Sequence, residues 1–256
     1  MLEVEKLSFK YKKKEVLREI NLQVRPGELL SIAGPNGSGK TTLLRCLLNI
    51  LRPFKGRIMA DGLELDRLSP LQRARQLSYV PQDSPFKFPV TVFDMVLMGR
   101  RPYLGWRPSE KDLRKVSEML ELMAIEHLCM QEFDRLSGGQ QQKVLLARAF
   151  VQEAGYILLD EPTSSLDLRH QLETMDLLQQ MVREKGTGTV VAIHDLNLAR
   201  RYSDQVVFMD QGSIFSFGSP DEVMTPETIG RVYGVRVRYI SNNGHKYLVP
   251  VETLKT

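Results

Sequence analysis

Cysteine is scarce in this sequence, and no long apolar run is present. The 256 residues include only two cysteines, Cys46 and Cys129, each set among apolar neighbours. So few thiols argue against a disulfide framework or a cysteine metal site, and we expect both to be buried and reduced in a cytosolic protein. No run approaches the roughly 18 to 20 apolar residues that span a bilayer, and no signal-peptide pattern opens the chain. Any membrane role is therefore expected to come through a partner.

Strong charge of either sign is also lacking. The formal net charge is +4 and the pI is about 9.0, which would suit an anionic ligand or a membrane-side location. Dispersed lysines and arginines explain the same values, and the lysines at positions 10–14 are typical of a solvated turn, so we expect no nucleic-acid partner. Hydrophobic content of 42% and charged content of 26% are ordinary for a globular protein.

A glycine-rich stretch fits the phosphate-binding pattern G-x-x-x-x-G-K-[ST]. It follows an apolar run of strand length at 28–33 and precedes a run typical of a buried helix at 42–48. Glycines let backbone N–H groups curl around an anion, and the helix dipole favours negative charge there. Lys40 is expected to reach the β- and γ-phosphates, and the Thr41 hydroxyl to bind Mg²⁺. The predicted nucleotide-binding residues are Gly34, Pro35, Asn36, Gly37, Ser38, Gly39, Lys40, Thr41 and Thr42.

Two adjacent carboxylates end a later apolar run. Asp160 and Glu161 follow residues 156–159, which have the composition of a buried strand. Asp160 is placed to hold Mg²⁺ through water, and Glu161 to polarise the water that attacks a γ-phosphate. Viewed alone, the pair is also compatible with a buried strand that simply ends at solvent.

A second candidate anion site precedes another predicted helix. Ser137, Gly138 and Gly139 expose N–H groups, and the helix that follows supplies a dipole. Taken alone, these residues are equally typical of an ordinary capped helix start. If this site cannot fold back onto the first, two copies of the chain must pair head to tail, each completing the other's site.

Together these stretches resemble the nucleotide-binding subunit of an ATP-binding cassette (ABC) transporter, over nearly the whole chain. The matching segments occur in the order found in that family. They are Tyr11, the base-stacking aromatic; residues 34–42, the Walker A loop; Gln82, the Q-loop glutamine; residues 136–140, the signature LSGGQ; residues 157–161, the Walker B strand and catalytic glutamate; residues 165–167, the D-loop; and His194, the switch histidine.

The resemblance implies an ATPase that uses ATP and Mg²⁺. The implied catalytic residues are Glu161, which positions or deprotonates water, His194, which contacts the γ-phosphate, and Gln82, which senses it through Mg²⁺. The implied metal ligands are Thr41, Gln82 and Asp160. Catalysis then consists mainly of positioning and charge stabilisation.

The resemblance also implies the partners of the chain. A second copy supplies its signature to the nucleotide held by Tyr11 and the Walker A loop, so a homodimer is expected. The dimer is expected to drive membrane permease subunits, and indirectly a solute-binding protein, from the cytoplasmic face of the cell membrane. The implied signature contacts to ATP are Ser137, Gly138, Gly139 and Gln140.

The fold implied is α/β: a P-loop (RecA-like) nucleotide-binding core with an antiparallel β edge and an inserted helical subdomain. The expected division is one ABC ATPase domain over 1–256, with its core at 1–82 and 154–233 and the helical subdomain at 83–153. A C-terminal hairpin extension is expected at 234–256, where residues 242–244 read Asn-Asn-Gly. Large apolar residues after Gln82 suggest a docking groove for the permease, although some of them must belong to the local core, and any single one is more often core than groove; they are Phe86, Phe88, Val90, Val92, Met95, Met98, Tyr103 and Trp106.

Three further stretches, at 98–103, 160–173 and 194–199, resemble importers of iron chelates, haem and cobalamin. Importers of other small solutes or metal ions share parts of them and remain an alternative. A second alternative is a soluble ABC protein of translation or DNA repair. Translation-type members carry two cassettes and repair-type members insert long coiled coils, whereas this chain has a single Walker A loop and only 54 residues at positions 83–136, between Gln82 and the signature serine. Glu161 argues against a scaffold without hydrolysis, and the second anion site argues against a small-molecule kinase.

Overall fold

The computed structural model describes residues 1–82, 89–242 and 245–254. Within them, the larger sheet has six strands in the order β10-β9-β3-β8-β7-β6. Strands β3, β6, β7, β8 and β9 are parallel, and β10 is antiparallel to β9. The bounds are β3 Leu29–Ala33, β6 Leu77–Val80, β7 Tyr156–Asp160, β8 Gly188–Ala192, β9 Gln205–Asp210 and β10 Ser213–Gly218.

A smaller antiparallel sheet has the order β2-β1-β4-β5 among the described residues. Its long hairpin pairs Leu2 with Val24 at one end and Tyr11 with Lys14 at the other. The predicted antiparallel edge is therefore confirmed. The bounds are β1 Leu2–Tyr11, β2 Lys14–Val24, β4 Lys55–Ala60 and β5 Leu63–Glu64.

The helices lie on both faces of the parallel sheet, which confirms the α/β prediction. They are α1 Lys40–Leu47, α2 Pro70–Gln76, α3 Val92–Leu97, α4 Glu110–Leu122, α5 Gly138–Val151, α6 Leu168–Lys185, α7 Leu196–Tyr202, α8 Pro220–Val223 and α9 Pro226–Tyr233. A hairpin of β11 Val235–Asn242 and β12 His245–Thr253 follows α9. Among the described residues, no helix combines the length and the apolar character that a bilayer crossing requires.

The core follows from the burial of both faces of the parallel sheet. Every residue of β7 is buried, and its side chains alternate between two clusters: Ile157 and Leu159 pack with α3 to α6, whereas Leu158 packs with α1 and the antiparallel sheet. Parallel strands that are covered on both faces have continuous apolar sequences. The helices α3 to α5, which lie within the predicted subdomain at 83–153, thus share a core with the sheet; the division into domains stays a prediction.

Two of the residues considered for a docking groove belong to the core. Val92 and Met95 are 0% exposed, because the helical spacing of α3 directs them with Val96 into the cluster beneath. Val90 is half-buried against the same cluster. Met98, Tyr103 and Trp106 are exposed, and Phe86 and Phe88 lie outside the described residues.

The two cysteines differ in burial. Cys46 on α1 is buried, and desolvation raises the pKa of its thiol to about 12. Cys129 is only half-buried, so the expectation that both would be buried is wrong for this residue. Neither forms a disulfide.

Candidate active site

The phosphate loop begins directly after β3 and ends at the first turn of α1. Its glycines are required by close contacts: a Cβ on Gly34, at φ +150°, would lie 2.3 Å from the backbone oxygen of Met209. A Cβ on Gly39, the N-cap of α1 at φ +108°, would lie 2.9 Å from Leu17 Cδ2. The loop is therefore packed between β2 and β9, and only glycine fits at these two positions.

Lys40 lies buried beneath this loop. Its ammonium donates hydrogen bonds to the carbonyl oxygens of Gly34 at 2.8 Å and Pro35 at 3.1 Å. Desolvation lowers the pKa of Lys40, and the carboxylates of Glu161 and Asp160 partly offset that effect. The cation thus faces both the loop and the two carboxylates, at the position where an anionic ligand would be neutralised.

A cavity of about 420 Å³ opens over the loop. Besides the loop and α1, its walls come from the start of β2, from the turn after β9 and from Glu161. We predicted no role for the first two: the lysines before β2 indicated only a solvated turn, and the turn Asp210-Gln211-Gly212 carried no ligand-binding pattern. The lining residues are Lys14, Glu15, Val16, Arg18, Asn36, Gly37, Gly39, Lys40, Thr41, Thr42, Glu161, Gln211 and Gly212.

The turn after β9 is joined tightly to the loop. The Gly212 N–H donates to the backbone carbonyl oxygen of Ser38 at 3.1 Å, and the backbone N–H of Arg18 donates to the carbonyl oxygen of Gly212 at 2.8 Å. A Cβ on Gly212 would lie 2.2 Å from the oxygen of Val16. Glycine alone permits this approach, which is the signal in the sequence that could have identified the turn as part of the site.

Thr41 and Asp160 meet on the inner side of the site. The Thr41 hydroxyl donates to Asp160 Oδ1 at 3.1 Å, and Asp160 is 3% exposed. Desolvation raises the pKa of Asp160, whereas the bond from Thr41 and the charges of Arg45 and Lys40 act in the opposite direction.

Glu161 bridges two other predicted catalytic residues. Gln82 Nε2 donates to Glu161 Oε2 at 2.8 Å, and His194 Nε2 contacts Glu161 Oε1. These residues follow β6, β7 and β8, which are neighbours in the sheet, so their side chains meet at its carboxyl edge. The Glu161 backbone lies at φ +50°, in the left-handed region that non-glycine residues rarely occupy.

Tyr11 stands beside this site without lining the cavity. It is the β1 partner of Lys14, which does line it, and its ring packs edge-on against Phe9 with centroids 4.8 Å apart. Tyr11 is 45% exposed, so part of the side chain is accessible to a ligand.

The sequence profile of the ABC transporter family matches residues 17–164, more than half of the chain. The chain belongs to the ABC transporter family. Its match spans the phosphate loop, Gln82, the signature and both carboxylates, and it ends before His194. The chain is accordingly an ABC ATPase that binds and hydrolyses ATP.

Relatives of this ABC ATPase match over almost the full chain. An uncharacterised ABC transporter ATP-binding protein of Methanocaldococcus jannaschii is 41% identical over 252 residues, covering 98% of both chains. A hemin import ATP-binding protein of Pseudomonas aeruginosa is 40% identical over 256 residues, covering 97% of this chain and 99% of the relative.

Solved structures of ABC proteins share its fold. An inward-facing transporter assigned to the metal-chelate type superposes with a TM-score of 0.86 at 29% identity, over 98% of this chain and 97% of that one. A dimeric ATP-binding cassette holding ADP and Pi superposes with a TM-score of 0.75 at 28% identity, over 86% of this chain and 99% of that one.

The signature of this ABC ATPase lies apart from its phosphate loop. Ser137 caps α5, where its hydroxyl accepts from the Gln140 N–H and the Gln140 side chain accepts from the Ser137 N–H at 3.0 Å. Gly138 is exposed, whereas Gly139 is buried against the ring of His170. Among the described residues, those lining the cavity over the loop include none of these four.

Proposed function

We propose that the chain is the ATP-hydrolysing subunit of an ABC importer, with Glu161 as the residue that activates water. The main observation that supports this role is that Glu161 lies in the wall of the cavity over the phosphate loop, where Gln82 and His194 contact its carboxylate from two sides. A carboxylate in this position can orient a water toward the γ-phosphate of a nucleotide bound to the loop.

In the proposed mechanism, each group around the cavity acts on one part of ATP. The base stacks on Tyr11, the loop N–H groups and Lys40 bind the phosphates, and His194 contacts the γ-phosphate while it holds Glu161. The left-handed backbone of Glu161 keeps its carboxylate at the strand end, between its two neighbours. Little covalent chemistry is required of the protein, since phosphoryl transfer depends mainly on positioning and charge stabilisation.

The residues for Mg²⁺ fit that ion. No group of three or more His, Cys, Asp or Glu side chains in the described parts of the chain could hold a metal. The Thr41 hydroxyl and the Asp160 carboxylate meet at 3.1 Å and are hard oxygen donors, which are typical of Mg²⁺ sites shared with phosphates and water; the Gln82 amide oxygen is the third proposed ligand. When bound, Mg²⁺ would neutralise charge that develops on the β- and γ-phosphates.

We further propose that the active unit is a head-to-tail dimer. Within the described residues, the cavity wall lacks Ser137, Gly138, Gly139 and Gln140, so a second copy would have to supply these helix N-terminal groups. The similar dimeric cassette with ADP and Pi bound supports this assembly.

The permease and the solute class rest on relatives. Relatives named for hemin, cobalamin, petrobactin and ferric enterobactin favour a metal chelate as cargo. We propose that the cargo passes through a membrane permease and is brought to it by a solute-binding protein. The chain would then work at the cytoplasmic face of the membrane.

Replacing Glu161 by Gln tests this function. The amide keeps the shape and one acceptor, but it cannot polarise water, so ATP turnover should fall by at least about a hundredfold while ATP still binds. Glu64→Gln, which removes a half-buried carboxylate paired with Arg67 at 2.7 Å, is the matched control and should keep wild-type turnover. Phosphate release and nucleotide affinity are the measurements; wild-type turnover in Glu161→Gln would refute the role.

A further inference from the structure

The C-terminal hairpin is bound to the helix that follows the switch histidine. Asn197, in the first turn of α7, donates through Nδ2 to the Leu248 carbonyl at 3.1 Å, and its Oδ1 accepts from the Leu248 N–H at 2.8 Å. One side chain thus pairs with both backbone groups of a single β12 residue. Such a two-point contact fixes the direction of the side chain as well as its position.

This contact lies three residues from His194. Between them, Asp195 caps α7 by accepting from the N–H groups of Asn197 at 2.7 Å and Leu198 at 3.1 Å. The backbone from His194 to Asn197 is therefore a short, hydrogen-bonded segment with its far end attached to the hairpin. Its near end carries the imidazole that contacts Glu161.

The hairpin itself is anchored next to the phosphate loop. Leu248 and Val237 are buried in a cluster with Ala33, the residue before Gly34, and with Phe208 of β9. Tyr233, which precedes the hairpin, packs its ring edge-on against Phe208 with centroids 6.3 Å apart. Burial raises the pKa of the Tyr233 hydroxyl to about 12.

We propose that Asn197 is a positioning residue for ATP hydrolysis, which sets His194 against Glu161 by tying α7 to the C-terminal hairpin. This inference rests on the proposed role of His194. It assigns a task to the hairpin, which lies outside the 17–164 match to the family. His194 and the hairpin line a common cavity of about 310 Å³, and among the described residues the side-chain hydrogen bonds that join residues 194–197 to the hairpin are those of Asn197.

The test compares Asn197→Ala with Asn21→Ala in the full chain. Asn21 also makes two bonds to backbone groups, from the Lys6 N–H at 3.0 Å and to the Glu19 carbonyl at 2.9 Å, but it lies in the antiparallel sheet. We expect Asn197→Ala to lower kcat about tenfold or more with unchanged affinity for ATP, since a displaced catalytic group costs rate rather than ground-state binding. Asn21→Ala should keep its kcat. Equal kcat in both variants would overturn the proposal.

A double variant separates positioning from general stabilisation. In a His194→Ala background, Asn197→Ala should cause no further loss of kcat, because the group it positions is gone. A further loss of the full single-variant size would show that Asn197 acts elsewhere and would overturn the proposal. If His194→Ala alone keeps wild-type kcat, the proposed role of His194 fails first. Should Asn197→Ala not fold, Asn197→Asp, which keeps the acceptor for the Leu248 N–H, is expected to give a smaller loss; wild-type kcat there would count against the proposal.

Discussion

Asp160 and Glu161 are adjacent in the chain but have different surroundings. Asp160 is buried, bonded to the Thr41 hydroxyl, and its pKa is raised by desolvation. Glu161 is partly exposed, with Gln82 and His194 on either side. Successive strand residues normally point to opposite faces. The left-handed backbone at Glu161 ends that alternation, and both carboxylates lie close enough to Lys40 to affect its pKa. The left-handed φ angle of Glu161 thus occurs where two adjacent carboxylates have different surroundings and different proposed roles.

At this scale we predict the effect of removing the Thr41 hydroxyl. Thr41→Val keeps the shape but loses both the proposed Mg²⁺ ligand and the donor to Asp160. The Mg²⁺ concentration that half-saturates ATP hydrolysis should rise by at least about tenfold, the lower range seen when metal-site partners are removed. Thr41→Ser, which keeps the hydroxyl, is the control and should remain near wild type. An unchanged Mg²⁺ requirement in Thr41→Val would exclude Thr41 as a ligand.

Among the elements, the segment between α3 and α4 contains a charged residue that is buried in the core. Arg100 is 3% exposed; it donates to Asp112 at 3.0 Å, and to the Val151 carbonyl and Glu153 at 2.8 Å each. A buried charge requires such partners. The segment therefore joins α4 to the end of α5, which carries the signature at its other end.

The neighbouring Gly99 is expected to be indispensable for this packing. A Cβ there would lie 2.2 Å from the backbone oxygen of Arg148 on α5, so Gly99→Ala should destabilise the fold by about 1 to 3 kcal/mol through overpacking. Gly105→Ala is the matched control, because no atom lies within 4 Å of its Cβ position. It should change the free energy of unfolding by less than about 0.5 kcal/mol. Urea unfolding of both variants measures the difference; equal midpoints would contradict the prediction.

For the whole molecule, the separation of signature and phosphate loop leads to a prediction about assembly. Gly138 is exposed, and a Cβ there would lie 3.7 Å from Leu166, so substitution leaves the monomer undisturbed. In a Glu161→Gln background, Gly138→Asp should still bind ATP but should not form the ATP-dependent dimer, because a carboxylate would face the partner's γ-phosphate.

Gly138→Ala, in the same background, tests bulk without charge and should dimerise at least in part. Size-exclusion chromatography with and without ATP measures the assembly. Equal dimerisation of the Asp variant and its parent would contradict the proposal that the signature acts across two copies.

Local patterns in the sequence were enough to predict much of this protein. The phosphate loop, the strand that ends in two carboxylates, the capped start of α5 and the C-terminal hairpin each depend on neighbouring residues, so a short stretch specifies them. The order of the motifs in the ABC transporter family then assigned Gln82 and His194 to the same site. Positions whose role depends on distant packing were missed, as with the cavity wall at Gln211 and Gly212, or left open, as with the burial of Val92 and Met95.

Only the tertiary structure decided which side chains meet. Glu161 contacts Gln82 across 79 residues of chain and His194 across 33, because β6, β7 and β8 are adjacent in the sheet and their carboxyl ends converge. The contact between Asn197 and Leu248, 51 residues apart, likewise follows from where the hairpin packs. No local pattern encodes these distances, since the order of strands is set by how apolar faces are buried together.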